Sequence, residues 1–268
     1  MAAAAPLLAD FSYEQTSKIT GGTAATKMQA LGASQEPIRT TVEVKGDRMV
    51  YGDDTRVRIV DLAEETVTVV DYQAETWQVM TFAAMTQALE EISKKAKENL
   101  AGEMHAEVSA KATGETRQIA GAEARQVVLT TEMKGAGQKP HQTDHMSITA
   151  EMWMAPPAAG YREAADFLHR LATKLNWNPD QSVAIQTSIL AATFGYARAR
   201  RGMAEVFKEM SKLDGMPVLQ EIRMTDNQPV FDMTSELGKF SAAPIEASHF
   251  EVPAGFKQVE NDSRWLLP

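Results

Sequence analysis

The residues best suited to bind a metal ion are His141, Asp144 and His145, which stand together in one short segment. Neutral imidazole and carboxylate groups are ligands that divalent metals accept. A His-x-x-x-His pair presents both rings on one face only in a helix, whereas Gly135 and Pro140 nearby indicate a loop. The sequence therefore favours a solvated loop, and we predict no metal and no cofactor. A metal-dependent hydrolase is the alternative that these residues leave open.

Other signs of catalysis are missing from the sequence. It contains no G-x-S-x-G, G-x-G-x-x-G, G-x-x-x-x-G-K-[ST] or H-E-x-x-H motif. Because the chain has no cysteine, thiolate nucleophiles, disulfides and thiolate zinc sites are excluded. We therefore predict no catalytic residue and a protein that is not an enzyme.

A basic cluster of Arg198, Arg200 and Arg201 stands out in an acidic chain, whose 27 basic and 36 acidic residues give a net charge of −9. Guanidinium groups could bind an anionic headgroup or an acidic partner. A solvated, salt-bridged helix end is the alternative interpretation. The acidic balance argues against nucleic-acid binding, which needs a basic surface.

Methionine is abundant, with 15 residues in a chain of 268. Met146, Met152, Met154 and Met224 fall on the apolar faces of predicted strands. The thioether side chain is flexible and polarizable, so a surface rich in it could accept acyl chains of varied shape. Filling of an ordinary core is the alternative use of these residues.

Alternation of apolar and polar residues with a period of two dominates the first third of the chain and returns after residue 102 and after residue 215. Such a period predicts half-buried strands. The connections near the start, such as Gly46-Asp47 and Gln73-Ala74-Glu75, are too short for crossovers, so the strands should form an antiparallel meander. Residues 20–36 read as a loop or a short helix.

Apolar residues at three- and four-residue steps predict helices after residue 85 and across residues 156–214. In the first helix of that second region, the stripe comprises Tyr161, Ala165, Leu168, Ala172 and Leu175. Strands, one helix, more strands, a helical block and final strands together predict an α+β fold. We expect a strongly curved antiparallel sheet, an incomplete barrel, with helices covering its concave face.

The domain prediction is a single domain over 10–260 with a helical insertion at about 156–214. Residues 1–9 are rich in alanine, as around a signal-peptidase site, and are interpreted as a disordered tail or the remnant of a signal peptide. Residues 261–268 form a predicted C-terminal tail. No apolar stretch approaches the length of a transmembrane helix, so no membrane span is predicted.

Four segments carry a resemblance to a known family: residues 42–49 (VEVKGDRM), 67–71 (VTVVD), 116–121 (TRQIAG) and 250–257 (FEVPAGFK). They resemble a bacterial family of exported proteins of unknown function, which is similar to the LolA/LolB-type lipoprotein carriers. The resemblance implies a LolA-like half-barrel in the periplasm or at the outer membrane, with a hollow that holds acyl chains. It implies no catalytic residues.

The sequence thus predicts a non-catalytic periplasmic or outer-membrane-associated binding protein for a lipid, a lipoprotein or another hydrophobic ligand, held between the curved sheet and the helices. The alternative is a cell-envelope interaction module whose hollow is filled by its own helices and which binds another protein. The residues predicted to line the apolar site are Tyr13, Trp77, Ile148, Met152, Ile222 and Met224, and the candidates for binding an anionic group are Arg198, Arg200 and Arg201.

Overall fold

A computed structural model describes residues 10–30, 36–88, 91, 104–136, 143–175, 213–226 and 228–261. The described residues form one twelve-stranded sheet in the spatial order β12-β6-β5-β4-β3-β2-β1-β11-β10-β9-β8-β7. The strands are β1 (Phe11–Gly21), β2 (Ile38–Lys45), β3 (Arg48–Gly52), β4 (Arg56–Asp61), β5 (Thr66–Asp71), β6 (Thr76–Thr81), β7 (Met104–Ile119), β8 (Ala122–Ala136), β9 (Thr143–Ala155), β10 (Met216–Asp226), β11 (Gln228–Ser241) and β12 (Lys257–Gln258).

Few helices accompany this sheet within the described ranges. They are α1 (Gly22–Ala30), α2 (described over residues 82–88), α3 (Tyr161–Lys174) and a short 3₁₀ helix (Ala247–Phe250). Helix α1 occupies part of the segment predicted as a loop or short helix and packs against β11 and β1. The remainder of the predicted helical insertion, residues 176–212, lies outside the described residues.

The predicted fold class was wrong. The part of the chain that the structure describes is mostly sheet, with 58% strand and 18% helix, and the sheet is neither closed nor strongly curled. It is also mixed, because β12 pairs in parallel with β6 while the other pairs are antiparallel. The expected half-barrel with a helix-covered concave face is therefore replaced by an open sheet.

The reason lies in strands β3 to β5, which bury apolar residues on both faces. Met49, Val60 and Val67 face helix α3, whereas Val50 and Ile59 face the C-terminal segment. The prediction of strong curvature assumed one apolar face wrapped around a single core. A sheet that buries apolar residues on both faces does not gain burial by curling around one of them.

One row of buried side chains crosses six strands and forms the core beneath α3. Cross-strand neighbours in register contribute, in order, Phe11, Val44, Met49, Val60, Val67 and Met80. Helix α3 packs Phe167 and Leu171 onto this row, and we call the assembly the helix-covered cluster. Ion pairs of Arg170 with Asp47 and of Lys174 with Glu65 fix α3 over the adjacent hairpin turns.

The turns between β4 and β5 and between β5 and β6 share one construction. The Oδ1 atoms of Asp61 and Asp71 each accept hydrogen bonds from two backbone N–H groups of the turn, and Glu65 and Glu75 adopt φ values of 54° and 51°. A side chain with Cβ is disfavoured in this left-handed region. These turns set the register of the meander locally.

Replacing Glu75 with glycine is expected to raise the free energy of unfolding by about 0.5–1 kcal/mol, because glycine adopts a positive φ without strain. Chemical denaturation would measure this change. Glu65→Gly is the matched control, and it should gain less because the Glu65 carboxylate pairs with Lys174 Nζ at 2.6 Å. A loss of stability in the Glu75 variant would contradict this account of the turn.

A partly buried carboxylate joins β1, β2 and the C-terminal segment. Asp10 Oδ2 accepts hydrogen bonds from Lys45 Nζ and from the Ile245 N–H, both at 2.7 Å, and Lys45 also donates to the Ile245 carbonyl at 2.8 Å. Burial raises the pKa of Asp10, but these two hydrogen bonds and the charge of Lys45 outweigh burial, so the pKa lies below its ordinary value.

We expect Asp10→Asn to reduce the free energy of unfolding at pH 7 by about 1 kcal/mol, since Lys45 is partly exposed to solvent. A carboxylate with a lowered folded-state pKa stabilises the fold above its unfolded pKa. This stabilisation is lost as the pH falls below about 4. Urea unfolding at several pH values should therefore show the two proteins converging in acid. A constant difference down to pH 2 would contradict the role of the ionised carboxylate.

Candidate functional site

Strands β7 to β11 carry a buried apolar core that we call the methionine-rich cluster. Its buried members are Val127, Leu129, Ala150, Met152, Met154, Ile222, Met224, Phe231 and Met233. Four of the predicted lining residues meet here, because Ile148 lies opposite Met224, Ala150 opposite Ile222, and Met152 on the same face one step along the strand pair. The period-two pattern therefore placed Ile148, Met152, Ile222 and Met224 on one surface.

The other two predicted lining residues lie elsewhere. Tyr13 belongs to the helix-covered cluster, where its ring lies 5.8 Å from that of Phe11 and 6.4 Å from that of Phe240. Trp77 is half-buried beside the cluster of Val50, Val70 and neighbouring residues on the opposite face of β3 to β6. The six residues are thus distributed over three separate cores and do not form one lining.

Between the helix-covered and methionine-rich clusters lies a buried polar quartet of Gln15, Ser17, Gln220 and Ser235. Their relative exposures are 8%, 6%, 6% and 4%, respectively. Ser235 stands at the centre, since its register partners are Ser17 on β1 and Gln220 on β10. Directly opposite residues of neighbouring strands share a face, so the quartet crosses three adjacent strands on one side of the sheet.

Three members of the quartet are hydrogen-bonded to one another. Gln15 Nε2 donates to Ser235 Oγ at 2.9 Å and to Ser17 Oγ at 3.2 Å, and Ser17 Oγ donates to Ser235 Oγ at 3.2 Å. Either serine hydroxyl can donate in the bond between Ser17 and Ser235. Within the described residues, no hydrogen bond joins these three side chains to Gln220 on β10.

Gln220 is the member of the quartet without a hydrogen-bond partner among the described residues. Its side chain makes no hydrogen bond to any residue in the described part of the chain, although only 6% of the residue is exposed. Thr131 is 2% exposed and lies opposite Ile148 of the methionine-rich cluster. Its side chain likewise makes no hydrogen bond to any described residue. A buried polar group without a hydrogen bond costs about 1–3 kcal/mol, so native proteins seldom keep one without a partner.

The quartet contains no ionisable side chain, and this limits its chemistry. It offers amide and hydroxyl donors and acceptors but no general acid, general base or metal ligand of the usual kinds. An ion placed there would lose its hydration without an opposite charge to compensate. The arrangement suits a neutral group that both donates and accepts hydrogen bonds.

The remaining predicted site residues do not contribute to this surface. Arg198, Arg200 and Arg201 lie outside the described residues, as does His141. His145 Nε2 lies 2.6 Å from Glu132 Oε2, and Ser147 Oγ donates to Glu132 Oε1 at 2.7 Å.

The hydrogen bond from the Ser147 hydroxyl lowers the pKa of Glu132 most, burial opposes it, and His145 and the charge of Lys134 lower it further, so the pKa lies below its ordinary value. Glu132 thus lies between the hydroxyl and the imidazole, so the imidazole cannot take the proton of Ser147 as a general base would. Within the described ranges, no three His, Cys, Asp or Glu residues come together as a metal site would require.

The quartet was missed in the sequence, although a signal was present. Gln15 and Ser17 continue the alternation of Phe11 and Tyr13, and Gln220 precedes Ile222 and Met224 by the same two-residue step. A polar residue in a position that the alternation assigns to the apolar face marks a buried polar group. Only the pairing of β1, β10 and β11 shows that these positions are neighbours.

Comparison with known families and with curated protein sequences finds no match to this chain. In the part of the chain that the structure describes, none of the helices has the length and apolar character needed to cross a membrane.

Proposed function

We propose that this protein is a non-catalytic binding protein for an amphipathic ligand, a lipid or an acylated protein. The aliphatic part of the ligand would lie on the methionine-rich cluster, and its neutral polar group would bind Gln220. The observation that carries the proposal is the buried Gln220 amide, which has no hydrogen-bond partner among the described residues. A ligand amide, or an ester that also carries a hydroxyl group, would donate to Gln220 Oε1 and accept from Nε2.

The composition of the cluster supports an aliphatic ligand. Met152, Met224 and Met233 are buried members, and Met146 packs at its margin. Flexible thioether side chains adapt to chains of different shape. Removal of a sixteen-carbon chain from water at about 25 cal/mol per Å² would contribute on the order of 10 kcal/mol before ordering costs. Apolar contact therefore supplies the affinity, and the quartet supplies selectivity.

The neutrality of the quartet supports an uncharged polar group. Fatty-acid anions would place a carboxylate among Gln15, Gln220 and two serines without a cation, at a desolvation cost of several kcal/mol. A primary amide or a monoacylglycerol can donate to Gln220 Oε1 and accept from Nε2. Location in the periplasm stays a prediction from the sequence, to be checked by cell fractionation.

Calorimetric titration with three ligands of equal chain length tests the proposal. Palmitamide and monopalmitoylglycerol should bind the purified protein at least tenfold more tightly than palmitate, because only the neutral head groups match the quartet. Failure of all three to bind, together with no lipid in native mass spectra of the freshly purified protein, would overturn the proposal. Equal affinity for the three ligands would show that the quartet does not select neutral head groups.

A further inference from the structure

The two edges of the sheet are built differently. At one edge the two-residue strand β12 pairs with β6. At the other, the sixteen-residue strand β7 pairs with β8 and is last in the strand order of the described residues. Glu107, Ser109 and Lys111 of β7 are exposed. A long edge strand presents a row of backbone N–H and C=O groups that can pair with another strand.

Only the first half of β7 is regular enough to pair with another strand. A register shift between Ala112 and Thr116 interrupts the ladder with β8, and Gly114 within it has a φ of 86°. Bulges of this kind bend a strand and end regular pairing. The regular stretch therefore comprises residues 104–112, long enough for a pair of strands of ordinary length.

Charges on this stretch select its partner. Glu107 and Lys111 lie on the same face of β7 with Ser109 between them, and neither makes an ion pair within the described part of the chain. If a second copy of β7 pairs antiparallel with Ser109 opposite Ser109, each Glu107 lies opposite a Lys111. Centring the pair on Val108 or Ala110 instead would place the charged residues opposite serine or histidine or beyond the stretch.

We propose that the edge of β7 is a docking surface for a second copy of this chain, paired antiparallel about Ser109. The two-fold axis then lies perpendicular to the sheet, so the same face of each copy points to the same side. Val108 of one copy lies opposite Ala110 of the other, and both residues pack against the methionine-rich cluster. The dimer would place the margins of the two clusters side by side across the new strand pair. This proposal is independent of the ligand proposal.

A single cysteine tests the register. The chain has no cysteine, so Ser109→Cys introduces the only thiol. Directly opposite residues in an antiparallel pair have Cα atoms about 4.5–5.5 Å apart, within reach of a disulfide. Mild oxidation should convert this variant to a covalent dimer at least tenfold faster than Thr116→Cys, which places the thiol beyond the bulge. Equal rates for the two variants would overturn the register.

Exchanging the charges of Glu107 and Lys111 tests whether the partner is a second copy of this chain. Sedimentation equilibrium should show that Glu107→Lys and Lys111→Glu each weaken self-association about tenfold, because each creates two like-charged pairs. The double variant restores both pairs and should associate like the wild type. An equimolar mixture of the two single variants should form a heterodimer for the same reason. A monomeric wild type, or single variants that associate unchanged, would overturn the proposal.

Discussion

Replacing Gln220 with methionine is expected to stabilise the unliganded protein while weakening its preference for neutral head groups. The native amide is buried without a hydrogen bond among the described residues, so its removal relieves a desolvation penalty of about 1–3 kcal/mol. Methionine is similar in length and matches the neighbouring Met152 and Met224. Urea unfolding of the ligand-free protein should show a higher midpoint with an unchanged slope.

Gln15→Met is the matched control, since it makes the same chemical change in a neighbouring member of the quartet. Gln15 Nε2 donates to both Ser235 and Ser17, so its loss leaves two buried hydroxyls with fewer partners. We expect this variant to be destabilised by about 1–2 kcal/mol. If Gln220→Met raises the free energy of unfolding and Gln15→Met lowers it, the Gln220 amide serves a ligand and the Gln15 amide serves the fold. Destabilisation of both to the same extent would mean that Gln220 is structural.

The ligand side of this prediction uses the same two proteins. The Gln220 variant should bind palmitamide and palmitate with affinities that differ by less than threefold, because the group that distinguishes the head groups is gone. Its affinity for the aliphatic chain should change little, since the apolar cluster is retained. An unchanged preference for palmitamide would place the head group elsewhere and would contradict the proposed site.

The second large effect concerns Phe167, which is fully buried beneath α3 in the helix-covered cluster. Truncation of a buried phenylalanine removes its apolar contacts and leaves a cavity, so Phe167→Ala should cost about 3–5 kcal/mol of unfolding free energy. Denaturant unfolding would measure this loss. His169→Ala on the exposed side of the same helix should change stability by less than about 0.5 kcal/mol.

A loss below about 1 kcal/mol for Phe167→Ala would contradict the packing of α3 on the six-strand row. Phe167→Leu provides an intermediate test, because it retains most of the apolar volume. Its cost should lie clearly between those of the wild type and the alanine variant. The order of the three proteins checks that packing, rather than a local change in helix propensity, sets the stability.

The hairpins could be predicted because their determinants are local. Alternating residues and short Asp-containing turns specify β3 to β6, and each of these strands pairs with its neighbour in sequence. Helix α3 was predicted for the same reason, but its buried face was partly wrong. Ala165 is exposed, whereas Ala164, Phe167 and Leu171 are buried. Apolar spacing alone allowed two overlapping stripes, and contact with the sheet decided between them.

The curvature of the sheet could not be derived in this way. The number of strands favoured a curled half-barrel, but packing on both faces of β3 to β5 and a parallel pair at one edge produced an open sheet. The covering of the second face by residues 245–256 involves chain segments about 200 positions from β3 in sequence. No local pattern encodes such a contact.

The amino-acid sequence by itself determined which residues alternate and where the tight turns fall. It did not separate Ile148, Met152, Ile222 and Met224, which join the methionine-rich cluster, from Tyr13 and Trp77, which do not. The tertiary structure alone decided that Gln15, Ser17, Gln220 and Ser235 are neighbours, because β1 pairs with β11 across more than 200 residues. Local periodicity specifies the face on which a side chain lies. Strand order, which depends on the free energy of the whole packed sheet, specifies the residues beside it.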